Sequence, residues 1–252
     1  LVKIGYFCSA GYTETGGLDA VLRRVAPDVT WERCFPAVDK PAPKIGRPLP
    51  TPVAAHSGVT GEALVKRIID HFDDYDALPY DAILIVDDAD CRFCGLADDP
   101  APGWRDAVVA RLRGARRWVD RPVFVLFASP EVEAWLLADW NNTFARYYPD
   151  VQVWMRRRLL ALGLDDLERY GCPRRGSSCT RKLSEDLVAA IDVVDGATDP
   201  PPGPVPRYSK RTDGPWMLRC VDPDVVAAAC AWLFAPSLWA LRRWVGEAAG
   251  GA

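Results

Sequence analysis

Apolar residues along this chain fall into two rhythms. Short runs at 2–8, 83–86 and 123–127 are mostly apolar and read as β-strands, and 29–35, where Val29, Trp31, Cys34 and Phe35 are interleaved with polar residues, reads as another. The runs at 83–86 and 123–127 contain no polar position, the pattern of strands covered on both faces in a parallel sheet. Between the runs, helical spacing recurs near 17–25, over 61–72 with Thr60 as N-cap, and over 105–118. A glycine-containing turn follows the first strand, and 36–52 and 98–103 read as loops. Ser129-Pro130-Glu131 has the composition of a helix start, with Ser at the N-cap, Pro at N1 and an acid in the first turn. Strands alternating with helices over 1–140 predict an α/β fold, a Rossmannoid core on a mainly parallel sheet. Residues 141–252 are expected to be a helical C-terminal region, with helices over 151–162, 182–194, 222–234 and 236–245. A proline-rich loop at 196–206 cannot be regular structure.

Composition narrows the function classes. A chain of 252 residues suits one large domain or a domain with an appendage. A net charge of −3 exerts no global pull on nucleic acid, so any such contact must use local patches. The longest apolar stretch, 225–235, is too short for a membrane span. The first residues lack a signal-peptide pattern, so a cytoplasmic address and no membrane partner are expected. Eight cysteines scattered without an export signal are not a disulfide scaffold, and most should be small buried hydrophobes. The exception is the knuckle Cys91-Arg92-Phe93-Cys94-Gly95, which with Cys172 and Cys179 has the donors of a structural Zn²⁺ site.

The chemistry concentrates where strands end. The 83–86 run leads into Asp87, Asp88 and Asp90, and the carboxyl edge of an open α/β sheet is where ligands bind. Three crowded carboxylates need a positive partner, and Mg²⁺ is the simplest; an acidic turn capping the next helix is the alternative. Glu131 and Glu133 follow the 123–127 strand on the same edge. The helix dipole accounts for Glu131 in a first turn, less so for Glu133. Glu14, after the first strand, is a further ligand or acid/base candidate, or else a helix cap. Basic clusters lie at Arg111, Arg113, Arg116, Arg117 and Arg121, and at Arg156, Arg157, Arg158, Arg174, Arg175, Arg181 and Lys182. They are either phosphate-tracking surfaces or solvated helix faces.

The order of these segments resembles a Toprim domain, and within that group a bacterial Toprim-like family of unassigned function related to the overcoming-lysogenisation-defect nucleases. The residues that carry the resemblance are Gly11-Tyr12-Thr13-Glu14, Asp88-Ala89-Asp90, Glu131-Val132-Glu133-Ala134-Trp135, His56-Ser57-Gly58 and Tyr208-Ser209-Lys210-Arg211-Thr212-Asp213-Gly214. The resemblance implies a Toprim-like core and a nuclease dependent on Mg²⁺ or Mn²⁺, acting on DNA or RNA in anti-phage defence. It implies Asp87, Asp88, Asp90, Glu131 and Glu133 as metal ligands, with Glu14, Asp88 and Lys210 catalytic. It also points to Arg156, Arg157, Arg158, Arg174, Arg175 and Lys182 as nucleic-acid contacts. The Asp-x-Asp register stays open, since alignment on the strand end starts it at Asp87. Ala10 stands where the family carries a catalytic Glu, which makes a catalytically inactive subunit, binding nucleic acid or a partner ATPase, the alternative. A haloacid-dehalogenase-like phosphatase also uses Asp-x-Asp, but here Cys91-Arg92 follows where that family has Gly-Thr. Oligomeric state, including a homo-oligomer, stays open.

Overall fold

The computed structural model describes residues 1–9, 11–36, 58–74, 80–96, 98–172, 180–191 and 207–250. Four strands form one sheet: β1 (Lys3–Cys8), β2 (Thr30–Phe35), β3 (Ala82–Asp88) and β4 (Val123–Ala128), in the order β2-β1-β3-β4. Every neighbouring pair is parallel, as the unbroken apolar runs predict. The chain steps outward from β1 to β2, then crosses back to place β3 and β4 on the other side. This reversal leaves a crevice at the carboxyl ends of β1 and β3, the place where open α/β sheets bind ligands.

Alternation along the strands divides the core. Ile4, Tyr6, Cys8, Leu84 and Val86 face α1 (Tyr12–Val25), which contributes Leu18, Val21 and Leu22. Phe7, Ile83 and Ile85 face α2 (Gly61–Asp74) and α3 (Ala101–Leu112), through Leu64, Ile68, Val108 and Leu112. The C-terminal part consists of α4 (Glu133–Ala138), α5 (Phe144–Tyr147), α6 (Gln152–Leu160), a 3₁₀ turn (Leu167–Arg169), α7 (Leu183–Ile191), α8 (Asp213–Leu218), α9 (Pro223–Ala229) and α10 (Phe234–Gly250). Trp135, Phe144, Met155, Leu187, Met217 and Leu238 from these helices join the apolar cluster that α1 makes with the sheet. Among the described residues, no helix is long and apolar enough to cross a membrane.

Several element boundaries differ from those expected, each for a tertiary reason. Helix α1 starts at Tyr12, not near 17, so the presumed turn is its first turn. Gly17 lies inside it because α8 packs too close for a side chain: a Cβ there would sit 2.6 Å from Leu218 Cβ and 2.7 Å from the Pro215 carbonyl oxygen. Helix α3 begins inside the presumed 98–103 loop, where the Asp99 carboxylate accepts the Ala101 N–H at 2.9 Å, and it ends at Leu112, short of 118. Ser129 does not cap a helix; its hydroxyl donates to the Glu168 carbonyl at 2.6 Å, and α4 starts at Glu133 with Val132 at the N-cap. Thr60 likewise spends its hydroxyl on Asp90, at 3.4 Å.

The helix expected over 222–234 is broken. The Glu168 carboxylate accepts the N–H groups of Trp232, Leu233 and Phe234 at 2.6, 3.0 and 2.9 Å, which ends one helix and starts the next. Helices α6 and α7 fall where expected, while 192–194 and the proline-rich 196–206 loop lie outside the described residues. Asp222 caps α9 by accepting the Asp224 N–H at 2.9 Å. Asp222→Ala should therefore lower stability by about 1 kcal/mol in urea melts; an unchanged midpoint would show that the cap is dispensable.

Candidate functional site

Three strand-to-helix junctions deliver acids to the crevice. Glu14 lies in the first turn of α1 after β1, Asp88 ends β3, and Glu133 opens α4 after β4. Together with Lys210 they line one cavity of ≈ 230 Å³. Glu14 and Glu133 are buried, and Asp88 is partly exposed at the strand tip. Ser9 Oγ donates to Glu14 Oε1 at 2.5 Å, and the Tyr208 hydroxyl donates to Glu133 Oε1 at 3.2 Å. The second oxygen of Glu133, Oε2, is buried without a hydrogen-bond partner among the described residues. Such an orphan is uncommon in a folded protein and calls for an explanation.

Lys210 arrives from far along the chain. Its carbonyl accepts the Thr13 hydroxyl at 3.2 Å, which docks the segment before α8 on the first turn of α1. The turn is held by Asp213, whose carboxylate accepts the Ser209 N–H at 2.8 Å. From there the Lys210 ammonium reaches Glu131 at 2.9 Å and Glu133 at 3.5 Å.

The electrostatics follow from burial. Removal from water pushes the Glu133 carboxyl up to about 7, with Lys210 opposing and the Glu131 and Glu14 charges adding. Asp88 is held well above the usual carboxylate range by burial and then by Glu14 and Glu133. Glu14 is also raised by burial, against its hydrogen bond from Ser9. Burial works against the Lys210 charge, yet Glu133 and Glu131 outweigh it and raise its pKa. Negative charge is therefore in excess inside a poorly solvated cavity, and Lys210 supplies the cation that faces it.

The sequence groups Asp87 with Asp88 and Asp90; the structure separates them. Asp87 points to the opposite sheet face, fully buried, where it accepts Arg92 at 2.9 Å and the Gly61 N–H at 3.1 and 3.0 Å. Gly61 has φ +56, and a Cβ there would meet the Arg92 guanidinium at 2.9 Å. Burial raises the Asp87 carboxyl to about 6 although Arg92 lowers it. Asp87 thus ties the β3 tip to the start of α2. Asp90 is exposed, in a left-handed conformation (φ 48), and accepts the Thr60 hydroxyl. Among the three aspartates, Asp88 alone lines the cavity.

Of the expected nucleic-acid contacts, Arg156, Arg157 and Arg158 sit on α6. Arg158 is bound to the Ala190 carbonyl of α7 at 2.6 Å, and Lys182 pairs with Glu185 at 3.3 Å. Arg174, Arg175, Ala10, His56 and Ser57 lie outside the described residues. Sequence reasoning gave no role to Ser9, Tyr208 or Arg92, which fix Glu14, Glu133 and Asp87. Tyr208 opens one of the segments that carry the resemblance and Ser9 lies two residues before another, so a hydroxyl near each acid was the available signal.

A second cluster lies beside the acidic tip. The sulfurs of Cys91, Cys94 and Cys172 fall within 4.8 Å of one another, a set that can bind a metal, and Cys94 and Cys172 are at disulfide distance (1.97 Å). Cys179 lies outside the described residues. Cys8, Cys34 and Cys230 are buried free thiols, as expected of small hydrophobes. Among the described residues, no three acids gather their oxygens as closely as these sulfurs. The acids of the cavity are hard oxygen donors, among them the Glu133 oxygen that has no partner among the described residues. Comparison with protein-family models, curated proteins and solved structures finds no match to this chain.

Proposed function

We propose that this chain is a Toprim-like nuclease that cleaves nucleic-acid phosphodiesters with Mg²⁺ or Mn²⁺. The observation that carries this reading is the lining of one cavity by Glu14, Asp88, Glu133 and Lys210, with Glu133 Oε2 buried and unpartnered among the described residues. Asp88 and Glu133 are the residues to hold the ion, with Glu14 beside them and Glu131 at the rim. A bound divalent ion supplies positive charge against the negative charge that builds on a phosphate under attack.

The chain's own groups have separate tasks. Ser9 and Tyr208 fix the orientations of Glu14 and Glu133 through their hydroxyls. Burial raises the Glu133 carboxyl to about 7, so without a metal it changes protonation near neutral pH, and it gives up its proton as it takes the ion. Lys210 exchanges its contact with Glu131 for a phosphate oxygen and orients the substrate. Asp87 keeps a structural task at the foot of α2.

Cleavage of plasmid and single-stranded substrates in Mg²⁺ and in Mn²⁺ tests this, comparing the protein with its Asp88→Ala variant. The expected result is metal-dependent cleavage that falls by about 10²–10³-fold in the variant. Intact nucleic-acid binding with no cleavage in either metal would overturn the reading and favour the inactive subunit that Ala10 suggests. Release of phosphate from a chromogenic monoester, blocked by Asp88→Ala, would favour a phosphatase.

A further inference from the structure

The two walls of the acidic cavity continue beyond it as a groove of opposite charge. Helix α1 brings Glu14 to the cavity and, further along, Arg23 and Arg24 to the groove. The segment around α8 brings Lys210 to the cavity and Arg219 to the groove. The groove encloses ≈ 520 Å³. Gly16 sets its width: a Cβ there would sit 2.6 Å from Pro215 Cβ, so glycine lets α8 lie this close to α1. Backbone carbonyls hold the arginines in place. Arg219 donates to the Gly16 carbonyl at 2.8 Å, Arg23 to the Asp19 carbonyl at 3.2 Å and Arg24 to the Val221 carbonyl at 3.2 Å. Among the described residues none of these three pairs with a carboxylate, whereas Arg111, Arg113 and Arg242 pair with Glu62, Asp120 and Asp224. Asp19, the acid in the groove's lining, accepts the Tyr6 hydroxyl.

We propose that this groove leads a single strand of nucleic acid to the cavity, with phosphates on Arg23, Arg24 and Arg219 and bases on Trp216 and Tyr12. Trp216 is 58% exposed, and the Arg219 guanidinium lies over its ring at 4.5 Å. Tyr12, exposed at the edge of the cavity, carries Arg211 over its ring at 5.4 Å. An indole is ordinarily drawn into the core. Left outside beside a fixed cation, it offers a stacking face next to a phosphate contact, the combination that single-strand binders use. Bases in a duplex stack on each other and have no face to spare, so the occupant is single-stranded. Tyr12 and Arg23 are eleven residues apart on α1, about 16 Å along the helix, which spans a few nucleotides. With a net charge of −3 the chain has no global pull on nucleic acid, and a local patch of this kind supplies it. The path rests on the nucleic-acid reading of the cavity, and it assigns the strand to α1 and α8, not to the arginines of α6.

Fluorescence anisotropy of labelled oligodeoxythymidylate and oligouridylate, titrated with the full chain in chelator and again in Ca²⁺, tests the path. Arg23→Ala/Arg24→Ala/Arg219→Ala should bind about ten-fold or more weakly. Its plot of log affinity against log salt should be shallower by about 2, since each phosphate contact on a single strand contributes about 0.7. Trp216→Ala should weaken binding about ten-fold with the salt slope unchanged. Arg156→Ala/Arg157→Ala, on α6, should leave affinity and slope as they are. Because Arg219 also holds α8 through Gly16, a second measurement uses no variant. A bromouracil-substituted strand irradiated on the unmodified protein should crosslink to the peptides that contain Tyr12 and Trp216. Unchanged binding by the groove variants, crosslinks confined to α6, or a duplex bound as tightly as the single strand overturns the path and leaves the nuclease reading standing. Displacement of the strand by polyglutamate at equal charge overturns it in favour of an acidic protein as occupant. Groove-dependent binding without cleavage in Mg²⁺ or Mn²⁺ supports the path and overturns the nuclease reading alone, and no binding of either strand overturns both.

Discussion

Replacing Arg92 with alanine is expected to destabilise the protein by about 3–5 kcal/mol at pH 8 and by far less at pH 5. Asp87 is fully buried, and among the described residues the Arg92 guanidinium 2.9 Å away is its only charged hydrogen-bond partner. Without Arg92 the carboxylate keeps only the Gly61 N–H, so its charge is stranded. Even with Arg92 present, burial raises the Asp87 carboxyl to about 6 from an ordinary 3.8. A carboxyl raised on folding contributes stability that is complete below its unfolded pKa and is lost as pH rises through the folded one. Deleting the guanidinium raises the folded value further and extends that loss across neutral pH. At pH 5 the carboxyl is largely neutral in either protein, and the remaining difference is the Arg92 hydrogen bond to the Asp88 carbonyl at 3.0 Å and its packing against Phe93, Trp104 and Phe127. Asp87→Asn in the Arg92→Ala background should restore most of the stability at pH 8. Urea melts at both pH values decide: equal losses would mean that Arg92 acts through those contacts and not through its pairing with the Asp87 charge.

What the sequence made legible divides along a physical line. The runs at 83–86 and 123–127 are uninterrupted and apolar, and burial leaves no other solution for them. The edge strand β2 instead carries Glu32 and Arg33 and shows through its placement beside β1. Parallel topology then forces every strand's carboxyl end to one edge, so Glu14, Asp88 and Glu133 could be brought together before any contact was known. Punctuation by Gly, Ser and Pro misled, because its meaning here is tertiary. Gly17 admits α8, and Ser129 serves Glu168. The break between α9 and α10 depends on Glu168, more than 60 residues away, which no local window contains. Within the acidic tip, adjacent residues of a strand face opposite ways, so whether Asp87 or Asp88 enters the cavity depends on a one-residue register. Lys210 was visible only through the motif around it, since 197 residues separate it from Thr13, which docks it.

Glu133→Gln should stabilise the metal-free protein at pH 8 by about 2–3 kcal/mol while removing its response to Mg²⁺. Burial holds the Glu133 carboxyl at about 7 against an ordinary 4.5, and each unit is about 1.4 kcal/mol. Because the folded value is raised, the contribution to stability is complete below about 4.5 and is lost as pH rises through about 7. At pH 8 the folded protein therefore carries a buried charge that Lys210 at 3.5 Å only partly offsets. Glutamine keeps an oxygen for the Tyr208 hydroxyl, sheds the charge and forfeits the contact with Lys210, so the gain falls somewhat short of the full burial penalty. The advantage should vanish at pH 5, where the wild-type carboxyl is already neutral. Mg²⁺ should raise the wild-type midpoint most at pH 8, where the ionised form is populated, and should leave the variant unmoved; cleavage should fall by about 10²–10³-fold. A variant less stable than wild type at pH 8, or one that still gains stability from Mg²⁺, would remove Glu133 from the metal-binding set. Electrostatic strain of this kind, relieved by a cation, is the physical signature that separates an acid placed for binding from one placed for the fold, as Asp87 is.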